Sequence, residues 1–101
     1  MRWADAYRHV GDGVASVWAA ANAQRNQHKH GVSFEQAAEA FFDPFLRLVE
    51  AERNQEPRDA LVGFDALGRL LFVVHRIIEG DCIRIFSARK ATPTERQTYD
   101  S

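Results

Sequence analysis

Phe34, Ala37, Ala38, Phe41 and Phe42 recur three and four positions apart, with Glu35, Gln36 and Glu39 between them, a spacing that predicts an amphipathic helix after Ser33. Ser33 followed three residues later by Gln36 is a capping-box pattern, in which hydroxyl and side-chain amide each satisfy a backbone N–H of the other. Pro44 disfavours helical geometry at Asp43 and ends the helix there. Upstream, residues 17–29 are rich in alanine, glutamine and arginine, and Gly31 offers the left-handed residue that follows many helices, so a first helix is expected there. Trp3 and Tyr7, four apart, would form one apolar ridge on an extra N-terminal helix.

Beyond Pro44 the period shortens. "FLRLVEA", "ALVGF", "RLLFVVHRII" and "CIRIFSAR" read as four strands, the third apolar on both faces as a central strand would be. "DALG" and "EGD" punctuate them, with Gly68 and Gly80 suited to tight turns. Near the end, Thr92 fits an N-cap, Pro93 the first helical position and Glu95 the first turn of a short helix. The expected architecture is α+β: two N-terminal helices, an antiparallel sheet of about four strands and a short C-terminal helix.

A chain of 101 residues has room for one modest core, and 46% hydrophobic with 27% charged residues excludes a disordered chain. The formal net charge of −1 argues against an extended basic nucleic-acid surface, while leaving room for a local one. Cys82 stands alone, so no intrachain disulfide forms and a reducing cytoplasm is expected. No apolar run approaches the ~20 residues of a membrane span, so no membrane role is expected.

The ionisable cluster His28, Lys29 and His30 sits where the first helix should end, and cations there complement the macrodipole. Two histidines two apart share no helical face, and no second cysteine or acidic group stands at ligand spacing, so neither a metal nor another cofactor is expected.

The run from Trp18 through Asn26 to "KHGVSFEQA", then "EPR" at 56–58, "GRLLFVVH" at 68–75, "IRIFSARKA" at 83–91 and "ERQTY" at 95–99, resembles the BrnT family of toxins. The "KHGVSFEQA" and "SARKA…ER..Y" blocks carry the likeness together. The resemblance implies a RelE-like ribonuclease toxin of a type II toxin-antitoxin system, neutralised by a ribbon-helix-helix (BrnA-like) antitoxin, with operator DNA met only through that antitoxin. It runs from Val17 to the end, making residues 17–101 the toxin domain and 1–16 an extension of unknown role; Val14 or Val17 would then correspond to an alternative start. The chain departs from the family pattern at Ala19 and Asn22, where Asp and Lys are usual, and at Glu52, where a histidine is often found. These departures keep a second reading open, a catalytically weakened toxin fold serving as antitoxin partner and co-repressor.

Metal-independent RNA cleavage uses the ribose 2′-hydroxyl as nucleophile, so the protein must take its proton, protonate the departing 5′-oxygen and stabilise the phosphorane. Arginine suits the last task, its planar fork gripping two phosphate oxygens. Arg58, Arg84 and Arg89 are candidates; Arg84 alternates with Cys82 and Phe86, whereas Arg89 shares parity with Ile83 and Ile85, so the two should emerge on opposite faces of a regular strand. Arg89, at the strand end, is assigned to catalysis, although a plain surface arginine fits it equally. His75, in phase with Leu71 and Val73, offers an acid or base, or else a hydrogen-bonded core histidine. Glu95 and Tyr99, one turn apart, would present a carboxylate and a phenol to the sheet, or serve as cap acid and packing aromatic. His75, Arg89, Glu95 and Tyr99 are thus expected to share one catalytic groove, with Lys29, His30, Arg58 and Arg84 contacting RNA.

Overall fold

The computed structural model describes residues 6–11, 14–53, 56–78 and 82–101. Ser33 Oγ accepts the Gln36 N–H at 3.1 Å and Gln36 Oε1 accepts the Ser33 N–H at 3.0 Å, so the capping box forms and starts helix α2, Phe34–Glu39. Phe34, Ala37 and Ala38 are buried on its inner face, and the Phe34 ring meets Trp18 edge to face at 5.7 Å. At Ala40 the helix tightens into a single 3-10 turn, Ala40–Phe42, ahead of Pro44. The change of helical pitch turns Ala40 inward and swings Phe42 out to 42% exposure, so Phe42 does not join the apolar face that its spacing suggested.

The first helix, α1, spans Ala20–His30 and ends at Gly31 in the left-handed region, φ 69°. It does not begin at residue 17. Val14–Ala19 forms strand β2, and Ala6–Gly11 forms β1 antiparallel to it. Val14, Val17 and Trp18 suit a pleated surface, and pairing with a neighbouring strand outweighs the helix propensity of the alanines that follow. The expected N-terminal ridge is therefore not helical at Tyr7, while Trp3 lies outside the described residues.

Strands β3 (Arg47–Arg53), β4 (Glu56–Phe64), β5 (Leu70–Ile77) and β6 (Cys82–Lys90) form the expected antiparallel meander. Together with β1 and β2 they make one mixed sheet of six strands, ordered β1-β2-β6-β5-β4-β3, rather than four. The join between β2 and β6 is parallel. Gly68, at φ 79°, makes the β4–β5 turn, where Asp65 Oδ1 accepts the Leu67 and Arg69 N–H groups. The "EGD" turn at 79–81 lies outside the described residues. Helix α3, Pro93–Asp100, starts on a second capping box between Thr92 and Glu95.

The core lies between one sheet face and the α1–α2 layer: Trp18, Val32, Phe34, Leu61, Leu71, Val73, Ile85 and Ala88 are buried together. The 3-10 turn sits so close to β4 that a Cβ at Gly63 would lie 2.9 Å from the Ala40 carbonyl oxygen. Because that oxygen is backbone, Gly63→Ala is expected to cost about 1–3 kcal/mol through displacement of the turn. Urea unfolding with an unchanged midpoint would contradict this contact.

Candidate functional site

The chemistry-bearing side chains are sorted by the two faces of the sheet, and the sorting depends on one irregularity. Phe72 pairs with Arg89 and Val74 with Ser87, but the next pair is His75 with Ile85, followed by Arg76 with Arg84. Phe86 is the extra residue of a β-bulge, which breaks the alternation along β6. Ile85 and Ala88 consequently both point into the core, and Arg84 and Arg89 emerge on the same face, the one away from α1 and α2, not on opposite faces as a regular strand would place them.

Arg58 joins that face from β4, in phase with Ala60 and Val62, which pair with Val74 and Phe72. The guanidiniums of Arg58 and Arg84 lie 4.1 and 4.9 Å from the centroid of the Phe86 ring. Burial, then the like charge of Arg58, lowers the Arg84 pKa from its ordinary value. Arg76, exposed, stands directly across from Arg84. Like charges directly opposite one another in a sheet repel.

Farther along the same face Arg89 lies 4.4 Å over the Phe72 ring, and its fork is filled: Nη1 and Nη2 each donate to a Glu95 oxygen at 2.8 Å. Hydrogen bonding to Glu95 raises the Arg89 pKa against the opposing effect of burial. For Glu95, burial works upward, but Arg89 and the Thr92 N–H outweigh it and the carboxyl is held below its ordinary value. Four residues on, Tyr99 packs edge to face on Phe64 at 5.1 Å and donates to Asp43 Oδ2 at 2.8 Å. Burial first, then the Asp43 carboxylate, raises the Tyr99 pKa, so the phenol keeps its proton. Asp43 also accepts the N–H groups of Phe45 and Phe64, and these bonds overcome burial to hold its pKa low. Between Tyr99, the chain end and Pro44–Arg47 there is an open cavity of about 630 Å³.

His75 is elsewhere. It lies on the helix-covered face with Leu71 and Val73, 2% exposed, its ring edge to face with Phe41 at 4.8 Å and Nδ1 3.2 Å from the Val73 carbonyl oxygen. The single groove expected for His75, Arg89, Glu95 and Tyr99 therefore does not form: the sheet separates His75 from the other three. Burial lowers the His75 pKa, partly offset by Val73 and the charge of Asp59. A histidine whose folded pKa is depressed stays neutral while the unfolded chain protonates near pH 6.5, so its contribution is full above that pH and declines as pH falls toward the folded value. His75→Gln is expected to flatten the fall in unfolding free energy between about pH 7 and 5. Equal slopes for wild type and variant in urea titrations would contradict this.

Lys29 and His30 occupy the last turn of α1 with His28, and the Gly31 N–H closes that turn on the Gln27 carbonyl at 2.8 Å. They cap the helix as expected and take no part in the contacts of the arginine face. No group of three or more His, Cys, Asp or Glu side chains gathers at metal-holding distance among the described residues. No helix among them is long and apolar enough to cross a membrane.

Sequence reasoning missed two asparagines and one acid. Asn26 is buried and commits its whole amide to backbone: Nδ2 donates to Val32 O at 2.9 Å and Ala88 O at 2.8 Å, and Oδ1 accepts the Ala88 N–H at 3.0 Å. Asn22 donates to the carbonyl of Phe86 at 3.2 Å. Both sit in a polar helix with no local signal of burial; their spacing of four, on one helical face, was the available clue. Asp43 appeared only as the residue before Pro44.

A family model described as ribonuclease toxin, BrnT, of type II toxin-antitoxin system matches residues 18–95. Among solved structures, the chain is similar to the 1.1 Å crystal structure of the Brucella abortus ribonuclease toxin BrnT, with a TM-score of 0.54 and 19% identity over 74% of this chain and 92% of that one. No curated protein matches.

Proposed function

Since the chain belongs to the BrnT family of ribonuclease toxins of type II toxin-antitoxin systems, with an antitoxin as its partner, we propose that it cleaves RNA on the arginine-bearing face of its sheet. The observation that carries the proposal is the gathering of Arg58 and Arg84 at the Phe86 ring, with Arg76 across from Arg84 and Arg89 farther along the same face. Arginine forks match phosphate oxygens, and several on one sheet face can follow a nucleic-acid backbone.

In this reading Arg58 and Arg84 hold the phosphodiester and stabilise charge on the phosphorane as the ribose 2′-hydroxyl attacks, leaving a 2′,3′-cyclic phosphate and a free 5′-hydroxyl. Glu95, held ionised by Arg89 on the same face, takes the 2′-hydroxyl proton and the departing 5′-oxygen takes one from solvent water, while Arg89 orients the carboxylate and completes the cationic row. Tyr99 acts by fastening α3 to Asp43, and His75 by filling the core. Lys29 and His30 are left as helix-capping cations that meet RNA only at its periphery. The step needs no metal, the fold is RelE-like, the antitoxin is of the ribbon-helix-helix type and carries the operator contact, and residues 17–101 form the toxin domain preceded by an extension.

A second reading is favoured by two observations: Glu95 already fills the Arg89 fork, and His75 is enclosed. In it the fold binds the antitoxin and serves as co-repressor without cutting RNA. Purified protein incubated with RNA and a chelator separates the two. Cleavage that persists under chelation and is blocked by the product of an adjacent ribbon-helix-helix gene is the expected result. Intact RNA with retained binding of that product would overturn the nuclease proposal in favour of the second reading.

A further inference from the structure

The backbone of β6 changes partners along its length. From Cys82 to Arg84 its outer edge pairs with β2, through Ala15–Val17. Strand β2 then ends at Ala19 and the chain turns into α1, so among the described residues no strand is left to pair that edge at Phe86 and Ala88. An unpaired buried backbone group costs about 1–3 kcal/mol. The side chains of α1 meet the need: Asn22 donates to the Phe86 carbonyl, and Asn26 both donates to and accepts from Ala88. A carboxamide has the donor and acceptor of a peptide unit, so two asparagines one turn apart continue the ladder where the strand stops. Arg25 donates to Asn22 Oδ1 at 3.0 Å, which turns the Asn22 Nδ2 toward β6.

The place so held is the bulge. Phe86 is its extra residue, and the bulge is what puts Arg84 on the face of Arg89 and sets the Phe86 ring under the guanidiniums of Arg58 and Arg84. We propose that Asn22 and Asn26 are positioning residues for RNA binding, acting as a substitute strand that fixes the Phe86 bulge and, through it, the guanidinium of Arg84. The proposal rests on the reading that this face meets RNA.

The test is a double-mutant cycle on binding of a short 2′-O-methyl RNA, which cannot supply the nucleophile, measured over a range of salt concentrations with Asn22→Ala, Arg84→Gln and the double variant. Arg84→Gln is expected to weaken binding and to make the slope of log K against log salt shallower by about 0.7, one phosphate contact on a single strand. Asn22→Ala is expected to weaken binding by about tenfold with a shallower slope of its own, and to add nothing in the Arg84→Gln background. Alanine is the better helix former, so α1 should persist, and circular dichroism checks it. A fully additive double variant, or a normal slope in Asn22→Ala, overturns the positioning role and leaves RNA contact standing. Wild-type binding by Arg84→Gln overturns the RNA-contact reading itself, and the inference with it.

Discussion

Arg84→Glu is expected to lower RNA affinity and cleavage by at least about a hundredfold while the protein remains folded. Arg84 and Arg58 share the Phe86 ring, so the new carboxylate would meet the Arg58 guanidinium and draw it into an internal ion pair. Two phosphate-binding cations would then be silenced and one anion added. A charge-assisted hydrogen bond contributes about 1.5–3 kcal/mol, and losing two corresponds to roughly two to four orders of magnitude. The cation–π contact given up at this partly exposed site is worth about 0.5–1 kcal/mol, small beside the loss in binding. Binding measured by anisotropy and cleavage by gel should therefore collapse together in a protein that circular dichroism shows to be folded. Near-normal binding by Arg84→Glu would remove this face from the mechanism.

The largest effect on stability is expected from a substitution that changes almost no volume. Asn26→Asp replaces a buried Nδ2, which donates to Val32 O and Ala88 O, by an oxygen facing the same two carbonyls. Two hydrogen bonds become repulsions, and the new charge sits at a position only 6% exposed. An uncompensated buried charge of this kind costs about 3–5 kcal/mol, a large part of the roughly 5–15 kcal/mol available to a small domain. Protonation would restore one donor, so burial and the carbonyls should raise the folded pKa of the introduced carboxyl above its unfolded value near 3.9. The sign follows: the folded state then binds more protons, and the penalty grows as pH rises from about 4. Urea unfolding at pH 5 and pH 7.5 should show a greater loss at the higher pH; a difference from wild type under about 1 kcal/mol at both would contradict the Asn26 geometry.

Where structure is local, the sequence was readable. The capping box at Ser33, the N-cap at Thr92, the left-handed Gly31 and Gly68, and the four strands after Pro44 follow from spacings of a few residues. The phase of His75 with the buried Leu71 and Val73 was a local clue to the core as well, yet the residue was assigned to the catalytic groove. What was hidden depends on distant pairing. Strand β2 reads as the start of an alanine-rich helix until β6 is available to pair with it. The bulge at Phe86 is set by the register of β5 against β6, and without it the arginines sort onto the wrong faces. Arg89 and Glu95 belong to separate elements, yet the turn at Ala91–Thr92 folds the carboxylate back onto the guanidinium. Tyr99 finds its hydrogen-bond partner 56 positions earlier, at Asp43.

The most direct test is ultraviolet crosslinking of a photoreactive RNA oligonucleotide, followed by mass spectrometry of the modified peptides. Contact through the arginine face predicts adducts within Cys82–Lys90 and around Arg58 and Arg76, suppressed when the antitoxin is bound. Adducts confined to the α1–α2 turn around Lys29 and His30, with β6 unmodified, would contradict it.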